Sequence, residues 1–423
     1  MLKNRKPKKK KKSIFRSLFV PLFLIMILQA CIFYFVAVYG GIEQSLSQNA
    51  VDISSQRLIN RKNELETVFN NNWNDMGNCI DYLDDLYSSY VSNFGDRPLL
   101  QNEQNKIQFL NDIDTELIET LRQNSVNGIF MIINDQPTQD TLTDNITAKK
   151  YGLCIRDMDS TSSYTDTTDL LLERAPSSIA DQTGCSLDSC WEAQYSFDSI
   201  DDGDFYYEPL NAAFENMGAE GEDLAYFSGA HQLSELGLDV VSYSIPLIGE
   251  DGYPYGVVGF EITTKYLATL IPNTSADNDV NNCYVLGLQQ KDSTDFLPIT
   301  ANGALYNRCF SSGSVLSTAD AQPTGGFLLT GRGNTKIFGA SAPLTIYNNN
   351  NPFEDTQLVL LRLSDYNTMF SYIGHIKQVL LIVSLLSLIL GLFCILLVSR
   401  RFASPITALA KRVEDMEPQA GFE

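Results

Sequence analysis

The chain has 423 residues, 44% apolar and 19% charged, with 23 Phe and 20 Tyr, so it can build globular cores and low-complexity disorder is excluded. The net charge of −21 conceals a segregated pattern. Nine of the thirty Lys and Arg lie between Lys3 and Arg16, four follow Val398, and between Gly41 and Lys377 there are 17 basic against 47 acidic residues, a net of −30. A middle zone this acidic repels phosphate backbones and excludes nucleic-acid binding.

In chain order, residues 1–17 form a basic head. Leu18 to Tyr39 is an uncharged apolar run, and Val379 to Val398 is a second. About 20 apolar residues cross a hydrocarbon core, so both are predicted membrane spans, at 18–40 and 378–399. The first run continues past Cys31 and is too long for a cleaved signal core, so it is expected to remain as an anchor. Basic residues flank both spans on one side, which predicts cytoplasmic termini and an extracellular segment over residues 41–377.

After the first span, Leu58, Leu65, Phe69, Trp73, Met76, Ile80, Leu83 and Tyr87 recur at helical spacing. They predict a stalk helix over 41–95, either continuous or broken near Gly77. Strands follow at Gly128 to Asn134 and Gly152 to Asp157. Asp239 to Ile248 and Tyr255 to Thr263 read as two strands joined by Gly249-Glu250-Asp251-Gly252, a hairpin signal, with a short helix from Lys265 to Leu270. Glu208 to Gly229 reads as aromatic and turn-rich.

A polar break from Asn273 to Asn281 precedes five more strands: Cys283 to Gln289, Phe296 to Thr300, Gly326 to Gly331, Lys336 to Thr345 and Gln357 to Leu363. Gly331 to Asn334 makes a turn between two of them. The predicted fold class is α+β: a long stalk helix and two PAS-like antiparallel-sheet domains, at 96–272 and 273–365, between two transmembrane helices.

This layout, with Gly152-Leu153-Cys154-Ile155-Arg156-Asp157-Met158-Asp159, Tyr243 to Ile248 and Asp251 to Ile262, resembles the double-Cache sensor modules of bacterial receptors. The stretch from Arg400 to Leu409 resembles the opening of a HAMP linker, with Pro405 starting a helix that carries Ile406, Leu409 and Val413 on one face. The resemblance implies a receptor that binds a small extracellular molecule in the first domain, signals across the membrane as a homodimer, and is served by an output domain outside this chain, of diguanylate cyclase or histidine kinase type. In the amino-acid-sensing branch an Asp near the last strand of that domain holds the ligand ammonium. Glu261 stands near that position, but the Arg-x-Trp-Tyr carboxylate motif is missing.

Candidate ligand contacts are aromatic walls from Trp191, Tyr206, Tyr226 and Tyr243 and polar groups from Arg156, Asp157, Asp239, Ser242, Ser244 and Glu261. Alternation along the strand separates Asp239 and Tyr243 from Ser242 and Ser244. Asp198, Asp201, Asp202 and Asp204 lack the spacing of a calcium loop and read as a solvated cluster.

Six cysteines lie outside the spans, and the expected disulfides are Cys185–Cys190 and Cys283–Cys309, leaving Cys79 with Cys154. Zinc is the alternative, but no Cys-x-x-Cys pair exists and the histidines are His231, expected in a loop or at the surface, and His375 beside the membrane. No nucleophile–base pair or phosphate-cradling loop is present, so no catalysis and no cofactor are expected. The competing reading is an anchored structural or adhesive surface protein.

Overall fold

The computed structural model describes residues 14–39, 41–73, 76–124, 126–158, 168–232, 237–271, 280–348 and 350–416. The head at 1–13, most of the polar break and the last seven residues lie outside that set, as do the side chains of Thr407 and Val413. The chain divides into two units, residues 1–52 with 367–423, and residues 53–366.

The first unit contains α1 (Ile14–Tyr39), the start of α2 (Ile42–Val68) and nearly all of a terminal helix of 51 residues, Tyr366–Met416. Among the described residues, two helices are long and apolar enough to cross a membrane, over Phe19–Val36 and within Tyr366–Arg401. Their apolar side chains are open around the helix, as with Ile25, Phe35, Ile389 and Leu390. Such faces match hydrocarbon rather than water. In the same unit Lys377 pairs with Glu43 at 2.7 Å and the Tyr372 hydroxyl donates to the Leu46 carbonyl. No helix begins at Pro405. The terminal helix runs through it, since a proline forfeits one helical hydrogen bond and the flanking turns hold.

In the second unit the stalk is interrupted rather than continuous. A π-helical turn at Phe69–Trp73 ends it, and α3 (Gly77–Phe94) restarts with Cys79, Leu83, Tyr87 and Tyr90 buried along one face. A short α4 (Pro98–Gln101) leads to α5 (Glu103–Asn124), whose Phe109, Leu110, Ile113, Leu117 and Leu121 are buried at helical spacing.

The first sheet comprises β1 (Gly128–Ile133), β2 (Gly152–Asp157), β3 (Leu170–Arg174), β4 (Ser186–Glu192), β5 (Tyr226–Phe227), β6 (Val240–Ile248) and β7 (Pro254–Thr263), in the order β4-β3-β2-β1-β7-β6-β5. Its pairings are antiparallel except β3 with β4, which run parallel. Between these strands lie α6 (Gln139–Asp144), α7 (Ser177–Thr183) and α8 (Asp204–Glu215), and α9 (Thr264–Leu270) closes the module. The stretch read as turn-rich thus begins as a helix. Helix α5 packs on β1 and β2, and α8 packs on β6 and β7.

The second sheet contains β8 (Asn282–Gln290), β9 (Asp295–Asn302), β10 (Leu316–Ser317), β11 (Phe327–Gly331), β12 (Thr335–Pro343) and β13 (Thr356–Asp365), in the order β10-β9-β8-β13-β12-β11, all antiparallel. Helix α10 (Ala304–Cys309) packs on β8 and β13. The terminal helix Tyr366–Met416 is α11. The β11–β12 turn uses Gly333 and Asn334 at positive φ, which these residue types tolerate.

Candidate functional site

The middle of the first sheet holds charge where a core is ordinarily apolar. Gly128 on β1 pairs with Arg156 on β2 and with Glu261 on β7. Its missing side chain leaves room for the two to meet over it, and a Cβ there would stand 3.1 Å from Glu261 Oε2. Arg156 Nε lies 3.2 Å from Glu261 Oε2, and its Nη1 lies 2.6 Å from Oε2 of Glu173 on β3. Arg174 Nη1 stands 3.9 Å from Glu173 Oε1.

Arg156, Glu173, Arg174 and Glu261 are all buried, at 4%, 0%, 3% and 1% exposure, so two cations and two anions sit out of water in balance. That balance is what makes the burial tolerable. Burial, reinforced by the Glu261 charge, raises the Glu173 carboxyl to about 7, with Arg156 and Arg174 opposing. Burial disfavours the Arg156 cation, but Glu261 outweighs it and the guanidinium is raised. Cys154 on β2 is held as a thiol well above its ordinary range by burial, with Glu261 and Glu173 adding to the effect.

Beside this cluster is a cavity of about 310 Å³, lined by Asn127, Arg156, Asp157, Thr263, Lys265 and Tyr266 among others. Asp157 points to the opposite face from Arg156, as neighbours on a strand must, and binds Arg122 of α5 at 2.5 Å. Arg122 also reaches Asp169 at 2.6 Å. Larger open grooves lie at Arg97 and Tyr253, about 600 Å³, and along Cys309 to Arg332 of the second domain, about 660 Å³.

A second unusual group lies under α8. Lys150 is 1% exposed and its ammonium donates to the carbonyls of Ile146 and Ala148 at 3.1 and 2.8 Å. The rings of Phe197, Tyr206 and Tyr207 surround it at 5.4–5.8 Å, close enough for cation–π attraction. Burial lowers its pKa to about 8.

Of the residues singled out from sequence, Arg156 and Glu261 meet directly, and Arg156 and Asp157 share the cavity wall. The others disperse. Tyr206 is buried on α8 against Phe197 and Tyr207, and Tyr226 donates to Asp204 at 3.0 Å. Tyr243 pairs with Phe260 on the reverse face from Ser242, whose strand partner is Glu261. Ser244 donates to the Tyr226 carbonyl at 3.4 Å. Asp239 is exposed and accepts from Gln232, while Trp191 stands at the sheet edge and donates to the Ala175 carbonyl at 3.1 Å. These ten candidates therefore do not line one pocket.

In the acidic cluster, Asp202 caps the Asp198 amide and Asp204 accepts from Tyr226, so both serve the local fold. His231 is half-buried, stacked on Phe205 at 4.5 Å with Nε2 3.3 Å from the Ser242 hydroxyl.

All eight cysteines are free. Cys185–Cys190 is ruled out by the strand that carries it. The intervening residues are extended in β4, which separates the two by roughly 16 Å at about 3.3 Å per residue, whereas a disulfide needs Cα atoms within about 7 Å. Cys283 and Cys309 are thiols in the core of the second sheet, the former pushed up to about 12 by burial. Cys79 hydrogen-bonds Thr120 of α5, whereas Cys154 lies on the opposite face of β2, so these two do not pair either.

Sequence reasoning missed Glu173, Arg174, Lys150 and Arg122. A Glu-Arg pair inside an apolar run, Leu170 to Ala175, was the available signal for the first two.

No family model and no curated protein matches the chain. Solved structures do. The periplasmic sensory domain of the Campylobacter jejuni chemoreceptor Tlp1 aligns over 77% of this chain and 98% of its own, at 13% identity and a TM-score of 0.42. The ligand-binding domain of the C. jejuni chemoreceptor Tlp3, solved with L-valine, aligns over 76% and 97%, at 13% identity and a TM-score of 0.33. The extracellular domain of soHK1S-Z6, described as a histidine kinase, aligns over 78% and 98%, at 10% identity and 0.40. The neighbours are sensory domains of chemoreceptors and of a histidine kinase.

Proposed function

We propose that this chain is the sensory and membrane part of a bacterial receptor. In this reading residues 41–377 are extracellular, both termini are cytoplasmic, and the chain works as a homodimer. A small molecule binds in the membrane-distal domain, residues 96–272, beside Arg156. The domain at 273–365 then carries a shift to the second span and to a HAMP-like continuation after Arg400.

The observation that carries the reading is the balanced charge cluster buried in the middle strands of the first sheet and opening, through Arg156, on a cavity of about 310 Å³. Small-ligand sites combine a concave apolar wall with a few fixed polar groups. Tyr266 supplies wall, and Arg156 supplies a cation that Glu173 and Glu261 hold in place. A ligand that favours one arrangement of these pairs shifts the population toward it.

Thermal-shift screening of the whole chain in detergent, against amino acids, amines, organic acids and purines, tests this. One class should raise the unfolding midpoint by a few degrees at a concentration near 100 Kd, the equivalent of about 2.7 kcal/mol. The rise should vanish in Tyr266→Ala. A flat response to every class would overturn the reading and leave the structural or adhesive alternative.

A further inference from the structure

Cys154 on β2, Glu173 on β3 and Glu261 on β7 place a sulfur and two carboxylates with ligand atoms within 4.8 Å of one another, all buried. Among the described residues, Oε1 of Glu173 and Oε1 of Glu261 have no hydrogen-bond partner, and Oε2 of Glu173 is held by the Arg156 ion pair at 2.6 Å. The hydroxyl of Tyr195, a residue 1% exposed and electrostatically coupled to Cys154, Glu261 and Glu173, is also unsatisfied. Folded interiors rarely leave this many polar atoms unmet in one place. Arg156 holds the Oε2 atom of each glutamate, the kind of outer contact that orients carboxylates for a metal.

The donor chemistry narrows the ion. Calcium and magnesium take oxygen ligands, whereas a thiolate among carboxylates suits a borderline-soft dication. Zinc binds sulfur at about 2.3 Å and carboxylate oxygen at about 2.0–2.2 Å, so its ligand atoms lie roughly 3.3–3.8 Å apart in a tetrahedron. The ligand atoms, now within 4.8 Å of one another, would draw in to that size on binding.

We propose that Cys154, Glu173 and Glu261 form a binding site for a thiophilic divalent cation, zinc fitting best, with Tyr195 or a water completing the tetrahedron. On binding, the Cys154 thiol proton leaves to solvent and a sulfur–metal bond forms in its place. The dication with three anionic ligands then carries a negative charge in excess, which the guanidiniums of Arg156 and Arg174 meet. The site ties three strands together and needs no small-molecule ligand, so it stands apart from the sensing reading.

The test uses the whole chain, tag-free in detergent and stripped with chelator, with Co2+ as spectroscopic probe. Wild type should bind one equivalent and show the near-ultraviolet charge-transfer band of a cobalt–thiolate bond, abolished by added Zn2+. Cys190→Ser should keep the band, and Cys154→Ser and Glu173→Gln should lose it. Absence of the band in wild type overturns the proposal without reference to any variant. So does its persistence in Cys154→Ser.

Discussion

The first sheet buries Arg156, Glu173, Arg174 and Glu261 among its middle strands, whereas the corresponding interior of the second is built from Cys283, Val285, Phe296, Leu305, Phe327, Ile337, Leu361 and Leu363. The architecture is nearly shared: ladders that are antiparallel but for one pair, and similar strand lengths. The interiors differ in what holds them. An apolar core is stabilised by contact and area, nearly independent of pH. A buried ionic core is marginal in net energy but specific, because removing one member strands the others. Two sheets of one protein thus separate the work of packing from the work of holding groups in a defined protonation state.

The largest expected effect comes from breaking each interior in its own way. Arg156→Met leaves two buried carboxylates with less compensation and should cost about 3–5 kcal/mol at neutral pH. Leu361→Ala in the second sheet opens a cavity costing about 2–5 kcal/mol. Denaturant titrations at two pH values distinguish them: the Arg156 penalty should shrink as pH falls through about 7, where Glu173 takes up a proton, and the Leu361 penalty should not move. Equal pH responses would erase the contrast.

A smaller effect sharpens the same point in wild type. Glu173 titrates at about 7 in the folded chain, above its ordinary 4.5. Between those values the native state holds the proton more tightly than the unfolded state, so stability is greatest below the lower value and falls as pH rises through the higher one. The loss is about 3 kcal/mol. Glu173→Gln should flatten the slope between pH 4.5 and 7, measured as the unfolding midpoint at fixed ionic strength.

The smallest effect asks how far the polar interior extends. Tyr226→Phe removes a hydrogen bond to Asp204 and should cost about 1 kcal/mol. Double-mutant coupling of this change with Glu173→Gln should be near zero, and a coupling well above 0.5 kcal/mol would mean the network reaches α8.

Much of the fold was legible in the sequence. Strands β1, β2, β6 and β7 and most of the second sheet announced themselves as β-rich runs bounded by Gly and Asn turns, and the Gly249–Gly252 hairpin was read correctly. Helix α5 had the needed spacing from Phe109 to Leu121 and was overlooked. Helix α8 was hidden by Pro209 and by the aromatic run Phe205-Tyr206-Tyr207, which reads equally as strand or turn.

The site was legible only in part. Arg156 and Glu261 stood out singly, but their meeting depends on strand register, which the order β3-β2-β1-β7 sets and periodicity does not reveal. Glu173 is harder still, because it enters the cluster at an irregularity between Leu172 and Arg174. Cys154, Glu173 and Glu261 lie so far apart in sequence that no spacing motif could join them. The disulfide expectation failed for a related reason: a count of cysteines ignores whether the residues between them are coiled or extended.

Gly128 has a mechanical consequence. Strands β2 and β7 share no hydrogen bonds, since β1 lies between them, yet Arg156 and Glu261 join them over the bare backbone at residue 128. An ordinary ladder lets a strand slide relative to one neighbour at a time. Here the outer pair is tethered across Gly128, so a register shift of β1 would put a side chain where that glycine stands and press on the ion pair.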